Sequence, residues 1–291
     1  MADKISPLQA LSGAVSEIVA QAAASIVAVH SHRSQASGFI WRPGLIVTAD
    51  EALAEEGEIS VVMRGGDAVK AKLAGRDPTT DVALLRVERA EAQPITFSTE
   101  TVPAGALAIV VAAQDSEPTA ALGVVSLSGG AWRSLRGGEI SARIELAISL
   151  RRASEGGLAL DSTGRAIGMA VLGPRRRVLV IPSATIEQVA AKLETHGRIP
   201  RGYLGLGLQP VKLDTGIGAM VMSVDSKGPG AAAGIRQGDV IVTYNGQPLR
   251  SVQALVRALG PDSVGSVVPL TLRRAGEPVD ASLTIGERPE R

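Results

Sequence analysis

Residues 153–170 read ASEGGLALDSTGRAIGMA. Gly156, Gly157, Asp161, Gly164 and Gly168 punctuate the stretch. Glycine and aspartate at such spacing mark turns, and the run AIGMAVL that starts at Ala166 reads as a strand. An earlier stretch, LIVTADEAL at Leu45–Leu53, also runs from a Val/Ile-rich strand into a polar turn. Outward from these two, the chain keeps one texture from Ser25 to about Pro182. Short apolar runs (SIVAV, ASGFIW, ISVVM, DVALLRV, LAIVVA, LGVVSLS, VLVIP) alternate with Gly-, Pro-, Asp- and Ser-containing turns. Many short strands at close spacing predict an all-β barrel or sandwich.

Helical signals flank this region. Ser6, Pro7 and Gln9 form a capping-box pattern, and Leu8, Leu11, Val15, Ile18, Val19 and Ala22 recur at helical spacing. Ser183–Gly197 reads as a second helix, with Ser183 as its cap, Ile186, Val189, Ala190 and Leu193 as its apolar face and Gly197 as its stop. Beyond a short linker, the chain reads as a compact α/β module: the strands AMVMSV, DVIVTYNG, VPLTLRR and ASLTI, with one helix near Ser251–Leu259. The expected segments are 1–24, 25–182, 183–201 and 202–288.

Composition narrows the function. The chain has 291 residues, with 30 Lys and Arg against 29 Asp and Glu. That balance gives no electrostatic case for nucleic acid. Cysteine is absent, so there is no disulfide, thiolate metal site or Cys nucleophile. No apolar run is long enough to span a bilayer. MADKISPLQA lacks the marks of a signal peptide, so the expectation is a cytoplasmic protein or a chain whose export segment has been removed. His30 and His32 alternate on the first strand and share a face, and His196 ends a helix. With no third ligand nearby, the His-x-His pair reads as structural.

The two punctuated stretches resemble the surroundings of the catalytic His and Ser in the HtrA family, trypsin-like serine proteases with a C-terminal PDZ domain. Family members read roughly I-x-T-x-x-H-V-V at the first and G-N-S-G-G-P-L-x-D-x-x-G-x-x-I-G at the second. On Thr48 and Leu53, the His falls on Glu51; on Gly156, Gly157, Asp161, Gly164 and Gly168, the Ser falls on Glu155. AGRDPTTDVALLRV resembles the stretch of the catalytic Asp, here Asp81. The resemblance implies two six-stranded antiparallel barrels with a cleft between them.

That chemistry needs a hydroxyl, an imidazole and a carboxylate in sequence, with backbone N–H groups for the oxyanion. Only Asp81 remains. Ser154 is one residue early, and the oxyanion loop is altered at Arg152, Ala153 and Ser154, with Ala153 where the family has glycine. Glu51, Asp81 and Glu155 are therefore expected to share one cleft, where three carboxylates cannot all stay ionised in a dry site. The outcomes open to it are a wet site with Glu155 turned outward, a retained proton, Arg151 or Arg152 as counter-ion, or a hard cation such as Ca²⁺. No cofactor is expected.

RGYLGLGLQPV and GPGAAAGIRQGDVIVTYNGQPLRSVQALVRAL resemble the family's PDZ domain. The resemblance implies that Tyr203, Leu204, Gly205 and Leu206 receive a peptide's C-terminal carboxylate, with the following strand pairing to the peptide. Val252, Leu255 and Val256 on the helix supply core contacts and the wall of a hydrophobic pocket. The resulting expectation is a catalytically inactive HtrA-like protein that binds peptides or unfolded C-termini as adaptor, regulator or chaperone-like partner. The alternatives are a hydrolase working through its carboxylates and a structural subunit of a mixed HtrA oligomer. Family proteases commonly form trimers and usually work outside the cytoplasm, which implies an extracytoplasmic, periplasmic-type location and family subunits as partners.

Overall fold

A computed structural model describes residues 6–32, 34–88, 94–214 and 216–289. Residues 1–5 of the expected N-terminal segment lie outside the described residues. The chain divides into two compact units, Met1–Ile199 and Pro200–Arg291.

The first unit opens with helix α1, Pro7–Ala22, whose capping box forms as read: Gln9 N–H donates to Ser6 Oγ, and Ser6 N–H donates to the Gln9 side chain. Six strands follow: β1 Ile26–Ser31, β2 Ser34–Arg42, β3 Leu45–Thr48, β4 Ile59–Met63, β5 Ala68–Asp77 and β6 Val82–Arg86. They close into a barrel in the order β1-β2-β3-β6-β5-β4, with β4 returning to β1. Closure leaves no free sheet edge. The barrel is filled by Val, Ile and Leu, which suit a pleated interior. Phe39, Ile40, Ile46, Leu84 and Leu85 are fully buried, each contributing about 1.5–3 kcal/mol of apolar burial.

A second barrel is built from β7 Leu107–Gln114, β8 Glu117–Gly129, β11 Arg143–Ala147, β12 Leu158–Leu160, β13 Ala166–Leu172 and β14 Val178–Pro182. Its order is β11-β14-β13-β12-β7-β8. Between β8 and β11 sits a small hairpin of β9, Trp132–Arg133, and β10, Glu139–Ile140.

Helix α2, Ser183–His196, belongs to the first unit rather than to a linker. Thr185, Ile186, Val189, Ala190 and Leu193 are buried, and α2 packs on β5 and β6. Its cap differs from the sequence reading. Pro182 is the N-cap, and the Ser183 hydroxyl donates instead to the Ser98 carbonyl at 2.9 Å. The stop is as read, with Gly197 left-handed at φ 71°. The His-x-His face does not form. His32 lies past the end of β1 in a left-handed conformation (φ 51°), so it leaves the strand's alternation.

The second unit is a sheet ordered β16-β17-β18-β20-β21. Its strands are β16 Leu206–Leu213, β17 Gly216–Val224, β18 Val240–Tyr244, β20 Val267–Arg274 and β21 Glu277–Thr284. β19, Gln247–Pro248, pairs with β18, and β15, Gly202–Tyr203, pairs with β22, Gly286–Glu287. Two helices complete it, α3 Pro229–Ala232 and α4 Val252–Ala258. The Ser251 side chain caps α4 by accepting from Ala254 N–H.

Candidate functional site

The loop after β5 places Asp81. Asp77 accepts hydrogen bonds from the Thr79 N–H and from the Thr79 and Thr80 hydroxyls, fixing an aspartate turn. Asp81 leaves that turn left-handed, at φ 60°, a conformation aspartate tolerates better than most residues. Its Oδ1 accepts the Glu51 backbone N–H at 2.7 Å. Burial pushes Asp81 up to about 7; the Glu51 N–H opposes this, and the charges of Glu155, Glu51 and Asp50 add to it. Burial likewise raises Glu155, against its hydrogen bond from Leu172 and the nearby Arg152 charge, with Glu51 pushing further upward. Glu51 and Glu155 thus lie close enough to Asp81 to act on its titration, and Glu51 acts on that of Glu155.

Glu155 does not turn outward. It is 4% exposed, and its carboxylate accepts the Leu172 N–H, at the end of β13, at 3.0 Å. The backbone before it is a 3₁₀ turn, Arg152–Ser154. Ser154 N–H donates to the Arg151 carbonyl, Glu155 N–H to the Arg152 carbonyl and Gly157 N–H to the Ser154 carbonyl, at 3.0–3.1 Å. The Glu155 N–H, one of the donors an oxyanion would need, is thus bonded within the turn. The turn is anchored from the other barrel by Ser37. Its hydroxyl donates to the Ala153 carbonyl at 2.8 Å, and its N–H donates to the Glu155 carbonyl at 2.8 Å. Gly156 makes this close approach work. It sits at φ 88°, and a Cβ there would lie 2.1 Å from the Ser37 carbonyl oxygen. Ser154 lines a cavity of about 280 Å³ together with β7 and β8 residues.

Arg152 acts as one of the counter-ions expected from sequence, and further cations come from elsewhere. Arg136, on the β9–β10 hairpin, pairs with Glu51 at 2.9 Å and donates to the Pro78 carbonyl at 3.3 Å. Arg76 pairs with the buried Asp50. Arg152 acts on Glu155 through its charge, and Arg151 lines the cavity behind the turn. Asp50, Arg76, Ser37 and Arg136 escaped the sequence reading. Asp50 lies in LIVTADEAL, Ser37 in ASGFIW and Arg76 in AGRDPTTDVALLRV, but Arg136 comes from a distant segment that only the fold brings here. Among the described residues, no group of three or more His, Asp or Glu side chains is arranged to hold a metal ion.

In the second unit, Tyr203–Leu206 forms the turn from β15 into β16. Gly205 is left-handed at φ 69°. The Leu204 carbonyl accepts from Gly230 N–H at 2.7 Å, and the Gly205 carbonyl from Asp225 N–H at 2.8 Å. The Tyr203 hydroxyl donates to Asp225 at 3.1 Å. β16 ends the sheet order, so one of its edges is unpaired there, and α4 packs beside it. Leu204 and Leu255 are core residues, 4% and 1% exposed. Leu255 is thus packed into the core of the unit. Val256, 57% exposed, and the half-buried Val252 and Leu206 remain available. A cavity of about 470 Å³ opens beside the loop, bounded by Tyr203, Gly205, Gly207, Ser223, Asp225 and Arg288.

These units define a class, a trypsin-like double barrel followed by a PDZ domain. The trypsin-like peptidase domain family matches residues 36–169, and the PDZ domain family matches residues 202–285. Relatives named probable periplasmic serine endoprotease DegP-like include one from Rhizobium meliloti, 29% identical over 279 residues, and one from Chlamydia trachomatis, 30% identical over 270 residues. These alignments cover 88% and 87% of the chain, which spans about half the length of these relatives, 54% in each case. The solved serine endoprotease from Yersinia pestis superposes with a TM-score of 0.72 at 26% identity, covering 94% of this chain and 98% of its own. The HtrA-type protease AlgW, solved with a decapeptide, shares the fold at a TM-score of 0.72 and 21% identity, covering 95% of this chain and 99% of its own. The chain carries a trypsin-like peptidase domain followed by a PDZ domain, and its fold is similar to that of HtrA-type proteases.

Proposed function

We propose that this chain is an HtrA-like pseudoprotease that binds peptide segments through its PDZ unit and works as an adaptor, regulator or chaperone-like partner outside the cytoplasm. The carrying observation is Glu155. At the nucleophile's place stands a buried carboxylate held on the Leu172 N–H, and its own N–H is bonded to the Arg152 carbonyl. A carboxylate there cannot repeat the hydroxyl's acylation step, and Ser154 faces the other way. The unpaired edge of β16, beside Val252 and Val256, supports peptide addition as an extra strand. Periplasmic naming of the relatives supports the compartment. The test has two arms. Unfolded casein incubated with the purified chain stays intact; cleavage that disappears in Glu155→Ala defeats the inactive reading. A hydrophobic C-terminal peptide binds and loses affinity on amidation; affinity indifferent to amidation defeats the PDZ mode.

One observation favours a second reading. Asp81 and Glu155 are coupled carboxyls with raised proton affinity, the sort of pair that general acid–base hydrolysis uses. That reading requires a hydrolytic activity lost in both Asp81→Asn and Glu155→Gln. For the assembly reading, α1 exposes Leu8 and Leu11 as a surface for contact with family subunits, and light scattering reads out the oligomeric state.

A further inference from the structure

The cavity behind the Arg152–Ser154 turn is separate from the carboxylate cleft. Its apolar walls come from Val110, Ala112, Ala120, Ala121 and Leu150, and Thr119, Ser149, Arg151 and Ser154 are the polar residues of its lining. Ser154 is only 9% exposed, yet its hydroxyl has no hydrogen-bond partner among the described residues. Every fully enclosed side-chain nitrogen or oxygen among those residues does have a partner, so the Ser154 hydroxyl is not fully enclosed, and Ser154 is one of the residues that line the cavity. Arg151 is the charged residue of the lining and has no ion-pair partner among the described residues.

A nearly buried free hydroxyl, a guanidinium and apolar walls share one complement. A carboxylate accepts from both donors, and a short apolar group behind it fills the walls. The volume, about 280 Å³, suits a short branched acid or one terminal residue of a chain. We infer that this cavity binds a carboxylate carried on a short apolar group, seated on Arg151 and Ser154. The same chemistry comes from a small organic acid or from a peptide C-terminus. Because Arg151 and Ser154 flank the turn whose carbonyls hold the Ser154 and Glu155 N–H groups, a bound acid holds that turn closed from behind.

The full chain is titrated by calorimetry with isovalerate, isovaleramide, and the tripeptide Ala-Ala-Val as free acid and as amide. The acids bind, and their amides bind at least about tenfold more weakly, the scale of one lost charge-assisted bond. Arg151→Gln, at an exposed position, weakens the acids by at least about tenfold, and Ala120→Trp blocks the cavity. Gly205→Val, which strains the PDZ loop, leaves this binding unchanged. Isovalerate binding alone identifies a free small acid as the source; added tripeptide binding identifies a chain end. The inference is overturned if neither acid binds at about 10 mM. It is also overturned if the amides bind equally, or if binding survives Arg151→Gln and Ala120→Trp but is lost in Gly205→Val.

Discussion

Two short turns of this chain, Arg151–Gly157 and Tyr203–Leu206, use their backbone groups differently. In Arg151–Gly157, the N–H groups of Ser154, Glu155 and Gly157 donate to carbonyls of the same turn. In Tyr203–Leu206, it is the carbonyls of Leu204 and Gly205 that are engaged, by Gly230 and Asp225 from elsewhere in the domain. A turn bonded through its N–H groups has few donors left for a ligand, whereas a turn anchored through its carbonyls keeps its shape without using them. Both units keep their turn glycines. The first has filled its site with its own atoms, and the second has not.

The comparison breaks most visibly at Gly156. Gly156→Ala adds a Cβ 2.1 Å from the Ser37 carbonyl oxygen at a left-handed position, combining overpacking with strain. A loss of about 3–5 kcal/mol is expected for the first unit, measured by urea unfolding. The corresponding fault in the PDZ unit is Asp239→Ala. Asp239 is buried, and accepts two hydrogen bonds from Arg274 at 2.8 Å and one from Arg236 N–H at 2.8 Å. Its removal strands a guanidinium and costs about 3 kcal/mol, while the first unit melts unchanged.

The units also answer pH in opposite directions. Burial raises Asp81 to about 7, so the folded first unit holds its proton more tightly than the unfolded chain. That contribution is full below about 4 and fades as pH rises to 7. Asp50 and Glu155 are raised too and act in the same direction. Asp239 is lowered, chiefly by Arg274, so the PDZ unit loses its contribution as pH falls below about 4. Asp81→Asn should therefore gain stability relative to the parent between pH 5 and 7, by up to about 3 kcal/mol. A constant difference across that range contradicts the assignment. The smallest effect expected is Arg136→Ala. Its pair with Glu51 is about half exposed, so the loss stays within about 1 kcal/mol by thermal unfolding.

The fold was legible because its signals are local. Short Val- and Ile-rich runs between turns gave the strands, and the Ser6–Gln9 box and Gly197 gave helix ends. Where local signals competed, the reading slipped. Ser183 resembles a cap, but its hydroxyl is taken by the Ser98 carbonyl, which periodicity cannot reveal. Leu255 and Val256 are neighbours on one helical face in the sequence pattern, and only packing sends one into the core and leaves the other exposed. Glu51, Asp81 and Glu155 were picked out by motif spacing, and the charges of Glu51 and Glu155 do reach Asp81. Their surroundings were not. Arg136 arrives on a hairpin and Ser37 from β2, segments that no spacing rule connects to Asp81, and although Arg76 lies in the Asp81 stretch, its pairing with Asp50 is made only by the fold.

The central claim is that this trypsin-like cleft has no activated serine. It is tested most directly by treating the full chain with a fluorophosphonate that phosphonylates active-site serines, followed by intact-mass measurement. The account predicts an unchanged mass under conditions that label a serine protease completely. A single phosphonyl adduct mapped to Ser154, or to any other serine of the first unit, would contradict it.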